Sequence, residues 1–300
     1  MRVIIAVLLC CVGILIGGVQ AQTENPDPDL PSEEAHVITA ISNLYSETYA
    51  RVIQERDIGG LYDLFITDDI PLCVTTKTSN GPQANCESST NWINVFSTWS
   101  DTDYEIHLST PRIDFIDRGA VSIAGFDEQF NGVSTAFGTD VFIYVQTEAG
   151  WRLALMNVVN TENGQSLSIG ETMLFDPSPG DVVELVEDSF NADDIATLST
   201  LFAEDAGLVL DMRQIDNPDF SFAQSRGVAG LQRFRQAGQD VTLQVRWAWV
   251  ETYDQYIASA FAHYHVEVDG ERVEEGETLW TLVASVQNGW QVTSVIISPE

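Results

Sequence analysis

Apolar residues recur every three or four positions early in the chain, which is the spacing of a helix with one buried face. The residues at these positions are Ile38, Ile41, Tyr45, Tyr49 and Val52. Ser32 precedes them as a possible N-cap, and Glu33 follows in the first turn, where the helix dipole favours negative charge. The pattern predicts an amphipathic helix that begins near Ser32.

The second half of the chain ends in segments where apolar and polar residues alternate. Such alternation over residues 241–249, 256–268, 278–286 and 290–297 predicts four strands. Asn288-Gly289 favours a hairpin turn between the last two strands. On this reading, Val241, Leu243, Val245, Trp247 and Trp249 share one face of their strand.

A group of six residues occurs twice, each time 137 residues further on. Asp57-Ile58, Leu61, Leu64-Phe65 and Asp68 recur as Asp194-Ile195, Leu198, Leu201-Phe202 and Asp205. Gly150-Trp151 recurs as Gly289-Trp290 at an offset of 139, a drift that small loop insertions explain. The chain is therefore predicted to hold two copies of one unit.

Each copy places helices first and a run of antiparallel strands after them. This order predicts an α+β fold of two tandem cone-shaped units, each with its helices packed on a curved sheet. We expect the first unit over residues 36–162, a linker over 163–179 and the second unit over 180–300. The linker ends in Asp176-Pro177-Ser178-Pro179, which favours turns.

The repeated helix motif, a short helix that ends in Phe, and the last hairpin on Gly-Trp resemble the nuclear transport factor 2 superfamily, including its SnoaL-like branch. The resemblance covers nearly all the chain after its first segment, once per copy. It implies a cystatin-like cone that encloses a pocket between helix and sheet. Members include isomerases, cyclases and dehydratases as well as noncatalytic binding modules, so the fold does not choose a function.

The N-terminus has the layout of a secretory signal peptide. Arg2 precedes an apolar run, and Ala21 is a small residue suited to cleavage before Gln22. A retained membrane anchor is the competing interpretation, but a basic stop-transfer flank is missing. Residues 22–35 read as a flexible acidic tail. The prediction is a periplasmic or extracellular protein that is not stably inserted in a membrane.

Forty-five acidic and 13 basic residues give a formal charge of −32. Such a chain repels nucleic acid phosphates, and Lys77 is its only lysine, so a nucleic-acid partner is excluded. The sequence contains no glycine-rich nucleotide loop, no Gly-x-Ser-x-Gly elbow and no His-Glu-x-x-His motif, and no cofactor is predicted.

Two cysteines remain after the signal segment, Cys73 and Cys86. Asn80-Gly81-Pro82 between them favours a turn that brings them together, and an oxidising compartment favours a disulfide over two reduced thiols. The chain has no Asn-x-Ser/Thr sequon, which makes a bacterial setting more probable than a glycosylated eukaryotic one.

In isomerase-like members of the superfamily, an Asp on the strand after the second helix acts as the base that abstracts a proton. The first copy has no carboxylate there, and the second offers Asp211, one position late. Asp211 is a candidate general base if it is buried in a pocket, and otherwise a solvated acid.

His263, His265 and Glu267 lie two residues apart and share a face, as three metal ligands would. The other face, with Ala262 and Tyr264, is the better one for packing on helices, so the histidines are predicted to lie outside. A polar outer face is the simpler interpretation, and no metal is predicted.

The second copy carries Trp247, Trp249 and Trp280, which either grip an apolar ligand or fill the core. Arg246 aligns with His107 of the first copy, so both are candidates for a cation that faces an acidic ligand.

The resulting prediction is an exported tandem protein that binds a small apolar or acidic molecule in one or both cones, the second being favoured. An isomerase, cyclase or dehydratase is the alternative, and a structural module with filled cones is a third. The superfamily dimerises through its sheets, so we expect the two repeats to pair by their outer sheet faces as an intrachain pseudo-dimer.

Overall fold

A computed structural model describes residues 32–78, 80–98, 104–162, 175–204, 207–213, 227–232, 235, 239–253 and 255–300. The predicted signal segment, residues 22–31 of the acidic tail and most of the predicted linker lie outside these residues, whereas the last four tail residues belong to a helix. Among the described residues, no helix is long and apolar enough to cross a membrane.

The first half contains α1 (Ser32–Asn43), a π-helical segment π1 (Leu44–Tyr49), α2 (Ala50–Glu55), α3 (Ile58–Leu64), β1 (Pro71–Thr78), β2 (Gly81–Ser88), α4 (Ser89–Ser97), β3 (Tyr104–Leu108), β4 (Arg112–Ile116), β5 (Gly119–Phe130), β6 (Val133–Thr147) and β7 (Gly150–Glu162). The second half contains α5 (Pro179–Asn191), α6 (Ile195–Thr200), β8 (Leu208–Asp211), α7 (Gly227–Gln232), β9 (Val241–Tyr253), β10 (Ile257–Val268), β11 (Glu271–Ser285) and β12 (Gly289–Pro299).

The strands form two separate sheets, one in each half. The first has the order β2-β1-β7-β6-β5-β3, with β4 also paired to β5, and the second has the order β8-β12-β11-β10-β9. In each sheet one pair is parallel, β1 with β7 and β8 with β12, and the others are antiparallel. The predicted α+β class with two tandem units is confirmed.

The repeated sequence motif builds the same corner in both units. Asp57 accepts a hydrogen bond from Gly60 N, and Asp194 accepts one from Thr197 N, so each caps the short helix that follows. The Phe that ends the motif then pairs with the last strand of its sheet: Phe65 bridges Leu153 and Phe202 bridges Val292. The motif therefore stops one helix, starts the next and attaches it to the sheet.

The irregularities of the two sheets also recur. Bulges interrupt the pairing after Glu128 and Ile143 in the first sheet, and after Val266 and Thr281 in the second, each shifted by 138 residues. Gly138 and Gly276 occupy matching places, and a Cβ at either would collide with the backbone of the neighbouring strand. Bulges and close crossings bend both sheets at the same points.

The predicted amphipathic helix is confirmed, and it spans α1, π1 and α2. Its five apolar positions are all buried, with exposed fractions between 0% for Ile41 and 8% for Ile38. They pack on the sheet together with the buried residues of β5, β6 and β7.

One feature of the predicted strand pattern is wrong. A bulge in the β9–β10 pairing places Trp247 opposite Ala262 and Trp249 opposite Phe261. Neighbouring residues on β10 face opposite sides, so Trp249 lies on the face of Phe261 and not on the face of Val241, Leu243 and Val245. Simple alternation failed because the bulge adds one residue.

The outer faces of the two sheets contact each other. Asn157 Nδ2 donates to Thr293 Oγ1 at 3.1 Å, and Thr281 Oγ1 lies 2.9 Å from that same hydroxyl oxygen. All three residues are buried. At the edge, Arg112 Nη1 donates to Glu251 Oε1 at 2.6 Å, and Val286 N donates to Pro82 O at 3.0 Å. These contacts join the units in the manner of a pseudo-dimer.

Candidate functional site

A cavity of about 200 Å³ lies between the helices and the sheet of the first unit. Its lining is mostly apolar and aromatic, and comprises Tyr49, Leu72, Val74, Trp92, Ile106, Phe126, Glu128, Asp140, Phe142, Met156, Val158 and Asn160. Val74, Glu128, Val158 and Asn160 are only partly buried, so they mark its open end.

Asp140 is the most buried polar group of the cavity, with 4% of its surface exposed. Tyr45 donates its hydroxyl to Asp140 Oδ2 at 2.9 Å. Burial raises the pKa of Asp140 to about 8, because the low-dielectric interior disfavours the carboxylate. The side chain can therefore gain or lose a proton near neutral pH.

Glu128 is a second carboxylate in the same cavity. Tyr104 donates its hydroxyl to Glu128 Oε1 at 3.0 Å. Burial raises the pKa of Glu128 as well, with the Tyr104 hydrogen bond opposing the shift. Each carboxylate thus accepts from a phenol rather than from a cation.

Asn160 supplies a third polar group to the wall. Its Oδ1 atom is buried and has no hydrogen-bond partner among the described residues. An unpaired buried acceptor costs about 1–3 kcal/mol. The residue that carries this acceptor belongs to the cavity wall.

The π-helical segment positions the tyrosines of the site. A π-helix adds a residue to the helical turn and often occurs at functional sites. Tyr45 and Tyr49 lie in π1, their rings are 6.0 Å apart, and each contacts Phe142 edge-on. The segment directs both phenol rings towards the side of β6 that carries Asp140.

The predicted base, Asp211, is buried but already engaged. The backbone N of Arg213 donates to its Oδ1 at 2.9 Å, and Arg213 Nη2 donates to its Oδ2 at 2.9 Å. The same Nη2 lies 2.9 Å from Glu274 Oε2. In this arrangement Asp211 holds the end of β8, and its role as a base stays a prediction.

The histidine group is split by exposure. His263 is exposed against the ring of Phe261, whereas His265 is buried with its Nε2 atom 3.4 Å from Glu267 Oε1. Within the described parts of the chain, no three His, Cys, Asp or Glu side chains are grouped so that they could hold a metal.

The predicted ligand-binding residues fall into separate places: Arg246 is paired with His263 on neighbouring strands, with Trp249 on the same face, whereas Trp280 and His107 lie elsewhere. Trp280 is 1% exposed and donates from Nε1 to Thr278 Oγ1 at 2.9 Å, so it fills the core of the second unit. Trp249 is half-buried beside Phe261, and the side chain of Trp247 lies outside the described structure. His107 and Arg246 are both exposed.

The predicted pairing of Cys73 with Cys86 is formed. The two residues face each other across β1 and β2, and a disulfide joins them. It closes the hairpin next to Leu72 and Val74, which line the cavity.

Sequence reasoning did not identify the polar wall residues Glu128, Asp140 and Asn160 as site residues, nor their phenol donors Tyr45 and Tyr104. One signal was available for Asp140, which precedes the apolar run 141–145 and shares strand parity with Phe142 and Tyr144. A carboxylate on that inward face is buried. Its phenol donor comes from a helix 95 residues away, which no local pattern shows.

No family model matches the sequence, and no curated protein matches it. Among solved structures, it is similar to an NTF2-like superfamily protein from Salmonella enterica, with 15% identity, 46% of this chain and 99% of that chain covered, and a TM-score of 0.36. It is also similar to a protein with a cystatin-like fold from Nostoc punctiforme, with 13% identity, 43% and 93% coverage and a TM-score of 0.33.

An NTF2-like protein from Cytophaga hutchinsonii is a third similar structure, with 10% identity, 43% and 98% coverage and a TM-score of 0.33. Each of the three matches less than half of this chain and nearly all of the other. Two of the descriptions name an NTF2-like protein, and the third names a cystatin-like fold. At such identities and TM-scores, the likeness says nothing about ligand, activity or partner.

Proposed function

We propose that the chain binds a small, largely apolar molecule in the cavity of the first unit, without transforming it. The observation that carries this proposal is an apolar cavity of about 200 Å³ with Asp140, Glu128 and Asn160 in its wall. Ligand sites commonly combine an apolar lining with a few placed polar groups. One buried and one partly buried carboxyl group argue against an acidic ligand, which was the other expectation from the sequence.

The size of the cavity limits the ligand. An engineered apolar cavity of about 150 Å³ binds benzene, so this one fits a molecule of about eight to ten non-hydrogen atoms. We place the site in the first unit because its cavity is lined by described residues, whereas Trp280 fills the described core of the second unit at the position matching Phe142. That the second unit holds a ligand stays a prediction from the sequence.

Native mass spectrometry of the protein from its own exported fraction tests the binding proposal. We expect a co-purifying small molecule, and we expect Phe142→Trp to lose it because the larger ring fills the cavity. Val133→Trp is the matched control, since it adds the same ring at an exposed position of the same unit. Val158→Phe narrows the half-buried mouth and serves if Phe142→Trp does not fold.

A proton-transfer enzyme is the second candidate function. It is favoured by one observation, the pKa of about 8 at Asp140, since a general base works best when its pKa lies near the working pH. The two functions differ in what a released ligand shows. An unchanged molecule at one equivalent supports binding, whereas a product that accumulates beyond one equivalent and disappears in Asp140→Asn supports catalysis.

We also propose that the protein is exported, cleaved before Gln22, and monomeric in the periplasm or outside the cell. The disulfide between Cys73 and Cys86 supports an oxidising compartment, and the contacts between the sheets support a monomer. Intact mass gives the first residue of the exported chain. Light scattering gives its oligomeric state, and a dimer mass would contradict the intrachain pseudo-dimer.

A further inference from the structure

The cavity of the first unit places two carboxyl groups beside aromatic rings. Glu128 and Asp140 both contribute to its wall, together with the rings of Tyr49, Trp92, Phe126 and Phe142. Among the described residues that line it, none is a lysine, arginine or histidine.

Among the described residues, neither carboxyl group is paired with a cationic side chain. A buried carboxylate is costly unless it is paired, and phenol donors such as Tyr45 and Tyr104 supply hydrogen bonds but no positive charge. Aromatic faces attract cations through their quadrupole, so the same wall that excludes an anion accommodates an organic cation.

We infer that the ligand is a small organic ammonium ion, with its nitrogen at Asp140 and Glu128 and its apolar part against the four rings. This inference rests on the proposed function and adds the chemical class of the ligand.

Binding of such a cation depends on pH. The titratable groups that face Asp140 are Tyr45 and Tyr49 from π1, Glu128 from β5, Tyr104 from β3 and Tyr144 on its own strand. The phenols stay neutral up to pH 8, since burial raises their pKa values further. A cation therefore binds the ionised Asp140 and tightens as the pH rises towards 8, whereas a neutral acceptor binds the protonated form and weakens.

Three probes with one scaffold test the ligand class: benzylammonium, benzyl alcohol and benzoate, each titrated calorimetrically into the full exported chain. At pH 8 we expect benzylammonium to bind at least tenfold tighter than benzyl alcohol, and benzoate not to bind. At pH 6 we expect the affinity for benzylammonium to fall at least tenfold.

Charge-neutral variants locate the effect. Asp140→Asn should weaken benzylammonium at least tenfold and leave benzyl alcohol nearly unchanged, and Glu128→Gln should act in the same direction. Asp127→Asn is the matched control, because Asp127 precedes Glu128 on the same strand but is absent from the cavity wall. It should change affinity less than twofold, which separates local recognition from attraction by the whole acidic protein.

The remaining outcomes separate the two proposals. If benzyl alcohol binds as tightly as benzylammonium or more tightly, and Phe142→Trp blocks it, the inference that the ligand is a cation is wrong. The cavity is then still a binding site. Equal loss of benzylammonium in Asp127→Asn and Asp140→Asn overturns the site of charge recognition. No binding of any probe overturns the ammonium inference, and absence of a co-purifying molecule in native mass spectrometry then overturns the proposed function as well.

Discussion

The two units share a frame but differ inside it. At matching register positions, Asp140 of the first unit corresponds to Thr278, and Phe142 corresponds to Trp280. Tyr45 and Tyr49 lie in a π-helical segment, whereas the matching helix α5 presents the valines Val182, Val183 and Val186 to its core. Among the described residues, the first interior holds a cavity with two carboxyl groups in its wall, and the indole of Trp280 takes the place of Phe142 in the second interior.

The difference shows which residues are bound to the fold and which are free to serve a ligand. The capping aspartates, the bulges and the crossing glycines recur because backbone geometry requires them. Side chains on the concave face need only fill space or satisfy each other. The two copies therefore share the same frame, while one interior has acquired a buried carboxyl group that the other lacks at the matching position.

A buried acid placed in the second unit tests whether its core tolerates the carboxyl group that the first unit contains. Thr278→Asp introduces a carboxylate at a position that is 2% exposed, with valines where the first unit has tyrosines. We expect about 3–5 kcal/mol of destabilisation at pH 8, and less at pH 5 where the acid is protonated. Urea unfolding at both pH values measures it, and Thr278→Asn is the uncharged control. An equal cost at pH 5 and pH 8 would contradict the prediction.

Removal of the buried acid from the first unit, by Asp140→Asn, tests how that acid affects stability. The folded pKa of Asp140 is about 8 and the unfolded value is about 4, so the folded state holds its proton over the pH range between them. This contribution to the free energy of unfolding therefore falls as the pH rises from 4 to 8. Between pH 5 and pH 8, Asp140→Asn should lose up to about 4 kcal/mol less stability than the parent chain.

Urea unfolding of both proteins across this pH range gives the difference. Asp127→Asn is a suitable control, because hydrogen bonds from Ser134 and Gln129 lower the pKa of Asp127, so its contribution to stability is already complete above pH 5. Parallel profiles for Asp140→Asn and the parent chain would show that Asp140 is ionised in the folded protein.

The disulfide belongs to the first unit alone, since Leu210 occupies the place on β8 that Cys73 has on β1. Replacing both Cys73 and Cys86 by Ser should lower the free energy of unfolding by about 3 kcal/mol, because a 13-residue separation is no longer closed in the unfolded chain. Reduction of the parent protein should shift its thermal midpoint in the same direction and leave the double variant unchanged.

The ion pair at the edge between the units should contribute little to the free energy of unfolding. Glu251 accepts from Arg112, but 41% of its side chain is exposed, so Glu251→Gln should cost below about 1 kcal/mol. Thermal unfolding in low salt measures it. A larger loss would show that this edge, rather than the buried Asn157 cluster, holds the units together.

Local patterns identified much of the frame. The six-residue repeat found the same helix corner twice, and alternation found the strands of the second sheet. The cysteine pair was also found, because Asn-Gly-Pro marks a turn between its members. The pattern failed at Trp249, because a bulge shifts strand parity and leaves no mark in the alternation itself.

The candidate site was not found from the sequence. Asp211, His263 and the tryptophans were predicted because their residue types are common in functional sites. In the structure, Arg213 donates a hydrogen bond to Asp211, and Trp280 is buried in the core of the second unit. The candidate cavity lies in the first unit, and its residues form no recognisable sequence motif.

Residues close in the chain specify the duplicated α+β frame, because caps, periodicity and turns are local features. Which interior buries carboxyl groups depends on contacts between residues far apart in the chain. Tyr45 and Asp140 are 95 residues apart, as Asn157 and Thr293 are 136 apart, and such contacts exist only when the strands and helices are packed. The shift in the pKa of Asp140 follows from the same packing, because burial is a property of the assembled fold and not of the residue.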